Sequence, residues 1–151
     1  MVISDSTTLI ILFDLGRVEL LSNLFSKILI PTTVYKEIST KSEIMLPEFI
    51  EVVCVKENTT LKVLKSLLDE GESEAIALAL ERKSKLIIDE KKGRKIAMTQ
   101  GLEIIGLLGV VYLNIRHQYL SPKEARTFLQ EALEHGYRIS PKLIEIMFAK
   151  L

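Results

Sequence analysis

The sequence predicts an α/β fold, a parallel-sheet α/β/α sandwich closed by a C-terminal helical hairpin. Three observations predict it. Short β-branched runs alternate with helical patterns, as in parallel sheets whose crossovers are helices. The run Leu86-Ile87-Ile88 is apolar at every position, as expected of a strand buried on both faces. Residues 121–151 instead carry two helix starts, Ser121-Pro122 and Ser140-Pro141. Each sets an N-cap serine before a proline at the first helical position.

Val2-Ile3-Ser4-Asp5 reads as the first strand, followed by a helix from about Thr8 to Asp14. A second helix, Val18 to Phe25, leads to the strand Ile28-Leu29-Ile30, closed by Pro31. A helix begins near Thr33, and Phe49 to Val55 reads as a strand. Helices follow at Leu61 to Leu68 and Ser73 to Lys83, then the strand Leu86 to Ile88 ending at Asp89. A helix from about Lys91 to Gln100 and a strand near Glu103-Ile104-Ile105 complete the alternation. In the hairpin, Ala125, Phe128, Leu129, Ala132 and Leu133 line one helix face. Leu143, Ile144, Met147, Phe148 and Leu151 line the other, and Gly136 supplies the turn. These faces pack on the domain or on a partner.

No linker divides the chain, so its 151 residues form a single domain, with a core at about 1–120 and a hairpin at about 121–151. A chain of this length buries roughly 70% of its unfolded surface and needs no disulfide or metal to fold. Twenty basic residues balance twenty acidic ones, which excludes a strongly basic passive nucleic-acid binder. The balance hides segregation. Ser66 to Glu81 holds five acids and no bases, whereas Arg82 to Lys95 holds seven bases and two acids. The first segment suits cations and the second, with Lys91, Lys92, Arg94 and Lys95, suits phosphates.

The single cysteine, Cys54, excludes a disulfide framework and a cysteine zinc cluster. Its place in Val52-Val53-Cys54-Val55 predicts a buried small hydrophobe. The longest uncharged stretch, Ile104 to Ile115, is too short for a bilayer, which takes about 18 apolar residues. With Asp5 interrupting any leader, the expectation is a cytoplasmic protein with no membrane contact. His117 and His135 are isolated and read as surface or capping residues.

Ligands of open parallel sheets bind beyond the carboxyl ends of the strands, and Asp5 and Asp89 both fall there. Each alone could be a turn or cap residue. Glu37 sits about a turn into its helix, where the capping-box position after Thr33 is Lys36 instead. Glu74 opens Glu74-Ala75-Ile76-Ala77-Leu78-Ala79-Leu80, a helix apolar almost all round. Glu72 lies about 200° around the helix from Glu74, so one of the two faces a shared site, and adjacency to the buried run favours Glu74. Converging carboxylates repel by on the order of 4 kcal/mol per pair at about 4 Å and an effective dielectric near 20. Protonation or a hard cation relieves this. Oxygen-only ligands select Mg²⁺ or Mn²⁺ over zinc.

These positions carry a resemblance to PIN domains. Val2-Ile3-Ser4-Asp5-Ser6-Thr7-Thr8-Leu9-Ile10 resembles their opening strand and helix, with small hydroxyl residues after the Asp. Pro31-Thr32-Thr33-Val34-Tyr35-Lys36-Glu37-Ile38 resembles the second motif, and Gly71-Glu72-Ser73-Glu74-Ala75-Ile76-Ala77-Leu78-Ala79 the third. Leu86-Ile87-Ile88-Asp89-Glu90 resembles the fourth, and the order covers roughly residues 1 to 112. Segments such as Arg94-Lys95-Ile96-Ala97 and Gly106 to Gly109 resemble a PIN-like branch of prokaryotic proteins often described as predicted nucleic-acid-binding; VapC toxins are more distant relatives.

The resemblance implies an Mg²⁺- or Mn²⁺-dependent ribonuclease in which Asp5, Glu37, Glu74 and Asp89 are the catalytic metal ligands. Thr7 would orient Asp5 or a metal-bound water, Glu72 would support the site, and Lys91, Lys92, Arg94 and Lys95 would meet RNA. It further implies a homodimer and, by likeness to the toxins, a small antitoxin partner. Two departures stand out. Lys91 and Lys92 occupy positions near which many PIN nucleases carry another acid, and the third acid is more often Asp in the toxins. They bear on metal stoichiometry and keep a non-catalytic nucleic-acid-binding or regulatory protein as the alternative. A phosphotransfer domain ranks last, since it leaves Glu37 and Glu74 without a role.

Overall fold

A computed structural model describes residues 1–41 and 43–151. Its parallel sheet comprises β1 (Val2–Ser4), β2 (Ile28–Pro31), β3 (Ile50–Val53), β4 (Lys85–Ile87) and β5 (Ile104–Ile105). Helices α1 (Ser6–Asp14) and α2 (Glu19–Ser22) join β1 to β2, and α3 (Thr32–Lys41) joins β2 to β3. Next come α4 (Thr59–Lys65) and α5 (Glu70–Arg82) before β4, and α6 (Lys91–Thr99) before β5. The chain ends in α7 (Leu107–Arg116), α8 (Pro122–Glu134) and α9 (Pro141–Ala149). Strand order is β3-β2-β1-β4-β5.

Alternation along the strands feeds two cores. Val2, Ile28, Ile30 and Ile87 point into one with Leu12, Val110 and Phe128, whereas Ile3, Leu29, Leu86 and Ile88 join Leu61, Ile76 and Ala79 in the other. The α/β/α sandwich follows, because a sheet apolar on both faces must be covered on both. The hairpin packs on the domain itself: Ala125, Phe128, Leu129 and Ala132 of α8 and Ile144 and Met147 of α9 belong to the first core. Ser121 closes a capping box with Glu124, and Gly136, at φ 92°, turns the chain between the two helices.

Several boundaries differ from the sequence reading. Asp69 caps α5 by accepting from the Glu72 N–H, so the helix starts three residues early, at Glu70 rather than Ser73. An unforeseen helix, α7, occupies the uncharged stretch; it buries Leu107, Val110, Val111, Asn114 and Ile115, leaving little polar face to reveal its period. Cys54 is exposed, not buried. It lies beyond the end of β3, the edge strand, where Glu51 and Val52 are also exposed. His117 and His135 are exposed C-caps of α7 and α8, as expected. Among the described residues no helix is long and apolar enough to cross a membrane.

Candidate active site

From β1 the chain winds outward through β2 to β3, then returns to the other side of β1 for β4 and β5. The β1–β4 boundary is therefore the switch point, where helices leave the sheet in opposite directions and open a crevice. Asp5 and Asp89 lie there, beyond the carboxyl ends of β1 and β4. Asp5 occupies the N-cap position of α1, yet its side chain makes no capping hydrogen bond. It is 4% exposed, and its Oδ1 is buried without a partner. Burial pushes its carboxyl up to about 7; the Ser6 backbone N–H opposes this, and the charges of Glu37, Asp69 and Asp89 add to it.

Glu37 reaches the same crevice from α3, its Oε2 accepting from Ser6 Oγ at 2.8 Å. Gly71 on α5 makes room for it, since a Cβ there would collide with Glu37 Oε1 and come within 3.7 Å of Asp5 Oδ1. The colliding atom is the far end of a flexible side chain, so Gly71→Ala folds with a loss of at most about 1–3 kcal/mol. It displaces the Glu37 carboxylate, so any activity that uses this carboxylate falls more than stability does. Paired melting and turnover measurements check this.

Glu72 and Glu74 are both buried in α5 but face different neighbours. Glu72 meets Asp69 and Glu90 and feels the Asp5 charge; burial first, then hydrogen bonding with Asp69 and Glu90, pushes its carboxyl up to about 9. Its Oε2 finds no partner in the ionised form, so at neutral pH a proton on Glu72 supplies the missing donor. Glu90 is held below the usual range chiefly by the Gly93 N–H it caps at 2.8 Å. Lys65 on α4 pairs with Glu57 and Glu70 and feels the Glu74 charge only weakly. The two acids do diverge around the helix, but it is Glu72, read as a supporting residue, that the structure brings toward Asp5.

Asp89 is the most heavily bonded acid. Its Oδ1 accepts from Tyr137 Oη at 2.8 Å and from the Leu107 N–H at 3.0 Å, and Oδ2 accepts from Thr8 Oγ1. It therefore serves the start of α7, not the cap of α6, which Glu90 provides. Gly106 permits the approach, because a Cβ there would meet Arg94 Nη1 and Asp89 Oδ1. The small hydroxyls of the α1 start that bond to the acids are Ser6 and Thr8, in place of the expected Thr7. Burial and the adjacent Asp89 charge push the Tyr137 phenol above its usual range and keep it a donor. Tyr137 lies 48 residues from Asp89, and nothing local in the sequence announces it.

Of the four bases expected to meet RNA, Lys91, Lys92 and Lys95 are exposed on α6. Arg94 is half-buried and donates from Nη1 to the Ile88 carbonyl at 3.0 Å. The crevice fits a hard divalent cation by its chemistry: all its acids are oxygen donors, and buried Asp5 Oδ1 and Glu72 Oε2 lack partners. Its present spacing is looser. Among the described residues no three Asp, Glu, His or Cys side chains are gathered closely enough to hold an ion.

Fold and crevice together define a doubly wound parallel α/β domain with an acidic site at its switch point. The family described as DUF3368: PIN domain matches residues 1–151, and the chain belongs to it. PIN domains are generally nucleases that use divalent metals and bind nucleic acid. No curated protein matches the chain.

Proposed function

We propose that this protein is an Mg²⁺- or Mn²⁺-dependent endoribonuclease. The observation that carries the reading is the buried Asp5 carboxylate at the switch point, its Oδ1 without a partner, with Glu37, Glu72 and Asp89 around it. Isolated buried acids of this kind are costly, and a cation is the ordinary compensation. Asp5, Glu37, Glu72 and Asp89 would hold the metal, with Glu72 in place of the Glu74 that the sequence motif favoured, because Glu72 feels the Asp5 charge. When bound, a divalent ion supplies activation of water and stabilisation of charge on the attacked phosphate. The chain's own residues set the stage. Ser6 and Thr8 orient Glu37 and Asp89, Tyr137 and the Leu107 N–H fix the Asp89 plane, and Lys91, Lys92 and Lys95 attract phosphate.

The same reading places the enzyme in the cytoplasm, as a homodimer and as the VapC-like toxin of a pair restrained by a small antitoxin. A non-catalytic nucleic-acid-binding or regulatory role is the second reading, favoured by the loose spacing of the acids and by Lys91 and Lys92. The test is cleavage of structured RNA by purified protein with Mn²⁺. Cleavage abolished by chelator and by Asp5→Asn is expected. Unchanged cleavage in Asp5→Asn overturns the assignment, and RNA binding without Mn²⁺ binding by calorimetry establishes the second reading.

A further inference from the structure

One side chain of the C-terminal hairpin bonds to the acidic site: Tyr137 Oη donates to Asp89 Oδ1 at 2.8 Å. We propose that Tyr137 is a positioning residue that reserves Asp89 Oδ2 for the cation and so makes the hairpin a working part of the site; the assignment rests on the nuclease reading above.

An ionised carboxylate offers about four acceptor sites, two on each oxygen. On Asp89, Tyr137 Oη and the Leu107 N–H, at 3.0 Å, fill both sites of Oδ1. Thr8 Oγ1 takes one site on Oδ2, which leaves a single site there. With these partners in place Asp89 has only Oδ2 to offer an ion. Without the Tyr137 hydroxyl each oxygen keeps one bond, and two orientations of the carboxylate compete. Fixing one orientation before the ion arrives removes that ordering cost from binding.

The chain gives this phenol a rigid mount. At the end of α8 the Gly136 N–H returns to the Leu133 carbonyl at 3.1 Å, and the Tyr137 N–H to the Ala132 carbonyl at 3.0 Å. With Gly136 at φ 92°, these two bonds form the Schellman ending, which fixes the residue after the glycine. Tyr137 is 7% exposed and shares the first core with Ala132 of the same turn. Packing therefore holds the ring, while the hydroxyl needs a polar partner and finds Asp89. On the facing side, Gly106 brings no side chain to cap α7, and Asp89 serves the helix start through the Leu107 N–H. Two elements beyond β4, the start of α7 and the hairpin turn, thus hold the same oxygen.

Calorimetric titration of the full chain with Mn²⁺ tests this, using Tyr137→Phe, which keeps the ring and removes only the hydroxyl. The variant should bind Mn²⁺ about tenfold or more weakly, the usual effect of losing an outer partner of a metal ligand. In chelator it should melt within about 4 °C of the wild type, as one hydrogen bond implies for a chain of this size. Linkage requires the converse: ion and hairpin stabilise one another through this contact. Mn²⁺ should therefore slow hydrogen exchange at the Tyr137 amide in the wild type and not in Tyr137→Phe. Tyr119→Phe, which removes an exposed phenol, should match the wild type in both measurements. Unchanged Mn²⁺ affinity in Tyr137→Phe overturns the proposal and leaves the residue a structural one. Tighter binding also overturns it, because the phenol would then compete with the ion. So does a wild type that binds Mn²⁺ without slower exchange at Tyr137. A wild type that binds Mn²⁺ but cleaves no RNA removes the nuclease reading and leaves this result standing, whereas one that binds no Mn²⁺ removes both.

Discussion

Asp5→Asn is expected to stabilise the metal-free protein at neutral pH while abolishing its RNA cleavage. The Asp5 carboxyl is pushed from 3.8 to about 7 in the folded state, mainly by burial. An acid whose pKa is raised by folding binds more protons native than unfolded between those values. The contribution of Asp5 to stability is therefore greatest below about pH 4, falls as pH rises toward 7, and levels off above it. The gap corresponds to roughly 4 kcal/mol lost at the top of the window. Asparagine carries no charge to bury, so its profile lacks this decline. At neutral pH the variant should melt about 10 °C above the wild type, at about 2–4 °C per kcal/mol for a chain of this size. Adding Mn²⁺ should raise the wild type and leave the variant where it was. Thermal melts across pH, with chelator and with Mn²⁺, check both halves. A wild-type profile flat between pH 4 and 7 would contradict the burial argument.

The second large effect separates the two glutamates of α5. Glu72→Gln should lower turnover on the order of a hundredfold or more, because it removes a charged oxygen donor from the Asp5 crevice. Glu74→Gln should keep turnover within about tenfold of wild type. Single-turnover rates at saturating RNA, beside melts, separate the outcomes. Equal losses, or a larger loss at Glu74, would restore the ligand set that the motif suggested.

The strand ends were legible because apolar runs closing on an Asp need only local pattern, and both Asp5 and Asp89 fall at the switch point. The choice within Gly71-Glu72-Ser73-Glu74 was not legible in the same way. Periodicity shows that two residues so spaced diverge, but which of them faces the sheet edge depends on where the helix starts. Asp69, acting as cap, starts α5 at Glu70 and sets Glu72 toward Asp5. Cys54 was misjudged for a related reason: an apolar run does not reveal that its strand lies at the sheet edge. Ser6, Thr8 and Tyr137 hold the acids through contacts 31, 81 and 48 residues apart, which only the tertiary fold creates.

The central claim is that a divalent ion belongs among the carboxylates beyond β1 and β4. A crystal of the full chain soaked in Mn²⁺ and measured for anomalous scattering tests it directly. The expected peak lies within coordination distance of Asp5, with Glu72 and Asp89 turned toward it. An active enzyme whose peak lay at Glu74 and away from Glu72, or which showed none in the crevice, would contradict the account.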